Sequence, residues 1–153
     1  MTRQHRLGLC TLITAALLAP LSAQAASAKA TQALNCQVPS AANGYRGNCP
    51  YLSDVLKGDK TFRTAFKKTL RANQVPELAG PESPMSPVNV GNQVYISGNR
   101  CEAHNCGSHN YVIIYSPTTQ RLAGIYQPDG SNPMWFGQPN GDEQAALRQL
   151  FGQ

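Results

Sequence analysis

Four short runs decide the fold: Val88-Asn89-Val90, Val94-Tyr95-Ile96-Ser97, Tyr111-Val112-Ile113-Ile114-Tyr115 and Leu122-Ala123-Gly124-Ile125-Tyr126. They are rich in β-branched and aromatic residues and too short for helices. Gly91-Asn92 marks a hairpin between the first two, and Ser116 to Gln120 turns the chain between the last two. Connections this short make successive strands antiparallel neighbours in one sheet. Trp135 and Phe136 start a further strand. Upstream, Asp59 is placed to cap a helix with Phe62, Ala65, Phe66, Thr69 and Leu70 on one face. Lys60, Arg63, Lys67 and Arg71 take its wet side, and Pro76 sets its limit. Downstream, Asp142 is expected to cap a closing helix with Ala146, Leu147, Leu150 and Phe151 turned inward. Residues 76 to 87, with four prolines and one glycine, read as a connector. Lys29 to Ser53 read as irregular structure. The expected class is α+β: an antiparallel β-sheet with helices packed on one face and a protruding, disulfide-closed loop.

That loop is Cys101-Glu102-Ala103-His104-Asn105-Cys106, in the connection between two strands of the sheet. The disulfide expectation rests on export. Arg3, His5 and Arg6 precede an apolar run from Leu7 to Leu21, and Ala23-Gln24-Ala25 supplies a small-x-small cleavage site. Residues 1–25 therefore read as a signal peptide and 26–153 as a single domain in an oxidising compartment. A membrane span needs roughly 20 apolar residues, and this run is shorter and broken by Thr11, Thr14 and Pro20. No membrane association is expected after cleavage.

Four cysteines remain in that domain, Cys36, Cys49, Cys101 and Cys106, which allow three pairings. The sequence-local pairs are favoured. Chain-entropy estimates give ~3 kcal/mol for Cys36 with Cys49 and ~2 kcal/mol for Cys101 with Cys106. The small ring is then valuable mainly for loop shape. Cys101, His104, Cys106 and His109 also form a set of possible zinc ligands within one short loop, but structural zinc sites space their ligand pairs more widely. No metal is expected. A redox pair normally has two intervening residues, and this one has four.

Removing residues 1–25 from the 153 leaves 128, and the loss of Arg3 and Arg6 lowers the net charge from +5 to +3. That is one domain's worth of core. Six of the remaining eleven basic residues lie between Lys57 and Arg71, with the aromatic residues on the other face of the helix and not interleaved. A nucleic-acid partner is not implied. No Ser-His-Asp set, carboxylate pair or phosphate loop stands out, so neither an enzyme nor a cofactor is expected.

The run from Arg100 to Tyr126 resembles the inhibitor of vertebrate lysozyme (Ivy) family, most specifically in the Cys101–Cys106 ring. Gly58-Asp-Lys-Thr-Phe-Arg-Thr-Ala-Phe, the Val75-Pro76 exit, the Trp135 region and the last helix are similar to that family too. The resemblance implies a periplasmic α+β domain whose loop plugs the active-site cleft of a C-type lysozyme, with His104 hydrogen-bonding the catalytic carboxylates. Active family loops usually carry lysine where this chain has Glu102 and often proline where it has Ala103. Two like charges ~6 Å apart cost roughly 0.7 to 3 kcal/mol for effective dielectrics of 80 to 20, so Glu102 would disfavour an acidic cleft. The departures bring in the cell's own lytic transglycosylases as partners, or a non-inhibitory envelope-maintenance module on the same fold. His109, outside the ring, needs no partner in this reading. A monomer and a homodimer are both compatible with it.

Overall fold

In the computed structural model, which describes residues 28–152, the chain forms α1 (Ala28–Leu34), α2 (Leu52–Gly58), α3 (Lys60–Ala72), β1 (Ser86–Val90), β2 (Gln93–Cys101), β3 (Asn110–Ser116), β4 (Arg121–Gln127), β5 (Met134–Phe136) and α4 (Gly141–Phe151). The signal-peptide reading of residues 1–25 lies outside the described residues. Among those described, no helix is long and apolar enough to cross a membrane.

The strands form one antiparallel sheet in chain order, β1-β2-β3-β4-β5. Val90 pairs with Gln93, which leaves Gly91-Asn92 as a two-residue turn with Gly91 at φ 55°. Positive φ there suits glycine. The β2–β3 register ends at Cys101 opposite Asn110, so residues 102–109 project from one end of the sheet.

Asp59 caps α3 by accepting from the Phe62 amide at 2.9 Å. Phe62, Phe66 and Leu70 then pack on one face of the sheet with Ile96, Tyr111, Ile113 and Tyr115. Phe62 meets Tyr115 edge-on at 5.0 Å, and Phe66 meets Tyr111 at 6.2 Å. Burying each such ring contributes about 1.5–3 kcal/mol. α1 and α2 extend this layer through Ala30, Ala33, Leu52 and Val55.

The fold is α+β with an antiparallel sheet, but its helices are not all on one face. α4 packs on the opposite side, where Ala146 and Leu147 meet Val90, Tyr95, Val112, Ile114, Ala123 and Ile125. The reason lies in β3: Tyr111 to Tyr115 is apolar on both faces, so both must be covered. The cap of α4 is Asn140, not Asp142. Asn140 Oδ1 accepts from the Glu143 amide at 3.0 Å, and the Asn140 amide in turn donates to Glu143 Oε2 at 2.8 Å. Glu143 is fully buried, and it also accepts from Arg121 at 2.5 Å and Tyr95 Oη at 3.2 Å, fastening the helix to β2 and β4. Lys29 to Ser53 is less irregular than expected, since α1 begins at its front and α2 at its end.

Candidate functional site

Among the described residues two disulfides are present, Cys36–Cys49 and Cys101–Cys106, each with its Cα atoms 4.8 Å apart. The loop's two sulfurs are joined to each other, as the sequence-local pairing expected.

Inside the ring the Asn105 amide donates to the Glu102 carbonyl at 3.1 Å, a turn with Ala103 and His104 as its central residues. His104, the third residue of that turn, has φ 67°. A type II turn demands positive φ there, and glycine or asparagine usually supplies it; a histidine accepts some strain in doing so. Its side chain is exposed and has no hydrogen-bond partner among the described residues. Ala103 beside it is exposed as well. An imidazole so placed can donate to or accept from a group on another molecule.

The base of the loop is the opposite. The Glu102 amide donates to the His109 carbonyl at 2.9 Å, and the Asn110 side chain donates to the Cys106 carbonyl at 2.8 Å. Asn105 Nδ2 donates to Glu102 Oε2 at 3.1 Å and to Asp129 Oδ1 at 3.0 Å, tying the ring to the segment after β4. The connector braces it from behind: the Cys101 amide donates to the Pro81 carbonyl at 3.1 Å. Gly80 lies so close that a Cβ there would sit 2.4 Å from the Cys101 oxygen and 2.6 Å from the Ala103 nitrogen. Arg100 and Glu82 form a half-buried ion pair beneath, and Glu82 also accepts from the Ser53 hydroxyl at 2.5 Å. Burial alone would raise the Glu82 carboxyl, but the bonds from Ser53 and Arg100 outweigh it and hold it below the usual carboxylate value.

His109 departs from the expectation that it needs no partner. Its Nδ1 lies 2.9 Å from Glu102 Oε2 and its Nε2 lies 2.9 Å from Tyr126 Oη. A carboxylate only accepts, so Nδ1 carries the hydrogen, and in the neutral ring Tyr126 donates to Nε2. The bond from His109, followed by that from Asn105, lowers the Glu102 carboxyl. Burial, then the charges of Glu102 and Asp129, raise the Tyr126 hydroxyl. Glu102 is therefore turned back into its own loop and answered there, although half of its side chain stays exposed. The sequence offered only spacing as a signal: seven residues separate Glu102 from His109, and strand register alone brings Tyr126 opposite Tyr111, two residues beyond the histidine.

Together these features define an α+β domain built to hold one histidine-tipped, disulfide-closed loop away from its sheet. The family model described as "Inhibitor of vertebrate lysozyme (Ivy)" matches residues 61–150, from α3 through α4. The chain belongs to the inhibitor of vertebrate lysozyme family. It is 24% identical over 78 residues to the inhibitor of vertebrate lysozyme of Escherichia coli K12, and equally to that of Escherichia coli O157:H7. The similarity spans 49% of this chain and 49% of those relatives, about half the length of each.

Proposed function

We propose that this is an exported, non-enzymatic inhibitor of lysozyme-type peptidoglycan-cleaving enzymes, acting in the periplasm after removal of residues 1–25. Residues Cys101, Glu102, Ala103, His104, Asn105 and Cys106 enter the target's acidic cleft, and His104 bonds its catalytic carboxylates. The observation that carries this reading is the contrast within the ring: among the described residues the exposed His104 side chain has no hydrogen-bond partner, while the Glu102 and Asn105 side chains are fastened to the body. A histidine facing two carboxylates is favoured in its protonated form and donates strongly to them. Closing the ring beforehand removes ordering entropy that binding would otherwise oppose. Family membership supports a lysozyme-type target.

Glu102 bears on which target. Its charge is met by His109 and Asn105, which softens the repulsion expected from an acidic cleft, yet Glu102 and Asp129 together leave the loop's flank acidic. That flank suits an enzyme with a basic rim around its cleft. A lytic transglycosylase of the same cell, or an envelope partner that is not an enzyme, fits the same loop if that rim is absent. Inhibition assays against a C-type lysozyme and a lytic transglycosylase separate these. Wild type is expected to slow at least one of them, and His104→Ala to weaken that inhibition more than tenfold with the fold intact. Glu102→Lys creating lysozyme inhibition that wild type lacks would favour the envelope reading. No effect of any variant on either enzyme would end the inhibitor reading.

A further inference from the structure

On the α4 side of the sheet, the helix covers only one end. At the other end, beside the disulfide, a cavity of about 420 Å³ opens, and a second of about 280 Å³ shares Ser83, Asn99, Val112 and Leu150 with it. The two form one trench along the sheet. Alternation along the strands puts Asn99, Asn110, Val112 and Gln127 on this face, with Asn110 directly opposite Gln127 and Asn99 opposite Val112. Leu150 and Phe151, at the end of α4, make the apolar wall.

The three carboxamides share a construction. Asn99 Oδ1 accepts from the Ser83 amide at 2.9 Å, Asn110 Nδ2 donates to the Cys106 carbonyl at 2.8 Å, and Gln127 Nε2 donates to the Ser131 carbonyl at 3.4 Å. Each side chain is anchored by one arm and keeps the other free among the described residues. The carboxamides therefore leave to the trench one donor arm, Asn99 Nδ2, and two acceptor arms, Asn110 Oδ1 and Gln127 Oε1, beside the hydroxyl-bearing Ser83. The charged groups at the rim, Glu82 and Arg100, are spent on each other and on Ser53. An ionic ligand finds no counter-charge. An extended peptide cannot add as a strand either, because β3 on the floor is already paired on both sides.

A neutral ligand that both accepts and donates, and that carries a small apolar group, fits this set. We infer that the trench binds an N-acetylated hexosamine unit of a neutral glycan. Its acetamido carbonyl accepts from Asn99 Nδ2, its N–H donates to Asn110 Oδ1 or Gln127 Oε1, and its methyl packs against Val112 and Leu150. The volume falls in the range of small-ligand sites, roughly 300–1,000 Å³.

The test needs no target enzyme, so its outcome is independent of the inhibitor reading. Protein purified after expression of the full chain and labelled with nitrogen-15 is titrated with tri-N-acetylchitotriose, cellotriose and an N-acetylated dipeptide amide, and amide resonances are followed. Chitotriose is expected to shift the Asn99 side chain and the Asn110 and Val112 backbone saturably, with cellotriose at least tenfold weaker. Asn99→Asp keeps the acceptor for Ser83 but replaces the free donor with a charged acceptor, and it should weaken binding roughly tenfold. Phe151→Ala should weaken it severalfold, and His104→Ala should leave it unchanged. No saturable shift in the trench, equal binding of cellotriose or of the dipeptide amide, or undiminished binding by Asn99→Asp would each overturn the proposal.

Discussion

The two disulfide-closed segments use the same bond for different ends. Cys36–Cys49 closes an exposed stretch that leans on little but itself: the Gln37 amide donates to Asn48 Oδ1 at 2.7 Å, and the Asn48 amide donates to the Gln37 carbonyl at 3.1 Å. Beyond it the chain returns to Pro50 and α2, whose Leu52 and Val55 are core residues. This bridge fastens the N-terminal layer to the body. Cys101–Cys106 spans a sequence separation of 5 against 13, and its ring is already pinned by the connector, by Asp129 and by His109. It removes little entropy from the unfolded chain but closes the turn that carries His104, whose side chain has no hydrogen-bond partner among the described residues. Under the proposed function, the first bond serves stability and the second serves presentation. The family match begins at residue 61 and so contains only the second.

Removing each bond separates the two roles. The Cys36→Ala/Cys49→Ala double variant is expected to lose about 3 kcal/mol of unfolding free energy in denaturant titration while keeping any inhibition. Equal loss of inhibition and stability would erase the distinction. Cys101→Ala/Cys106→Ala should cost less, up to about 2 kcal/mol, yet reduce inhibition at least tenfold.

The smallest effect probes the base of the ring. His109→Phe keeps a ring of similar size and removes both hydrogen bonds, so the Glu102 and Asn105 amides should exchange about fivefold faster, with global stability nearly unchanged. The same amides report pH. The Glu102 carboxyl is held below its usual 4.5, so its contribution to the loop is complete above that value and lost as pH falls through the lower folded pKa. Loss of protection of these amides on acidification, measured against the intrinsic exchange rate at each pH, in the wild type but not in His109→Phe would place the pH step on this pair. An unchanged step in the variant would assign it elsewhere.

Much of this was legible in the chain. The Asp59 cap, the Gly91 hairpin and the order of the strands follow from local chemistry, which the tertiary structure reinforces. α1 and α2 were not legible. Each has seven residues, too few for a clear period, and each is held by what it packs on. The position of α4 was half legible, since an unbroken apolar β3 signals two covered faces, whereas the partners of Glu143 lie on strands 22 and 48 residues away. The link from His109 to Glu102 and Tyr126 had no signal beyond spacing, because a histidine's partners are set by register and loop path.

By itself the sequence determined an antiparallel sheet, a capped amphipathic helix and a cysteine pair closing a six-residue ring around His104, because these depend on neighbours a few residues apart. Only the tertiary structure decided which charges meet. It turned Glu102 inward to His109, buried Glu143 under α4 and left a row of half-anchored carboxamides uncovered beyond the end of that helix. Side-chain partners drawn from distant strands depend on how the layers stack, and no local pattern of residues encodes that.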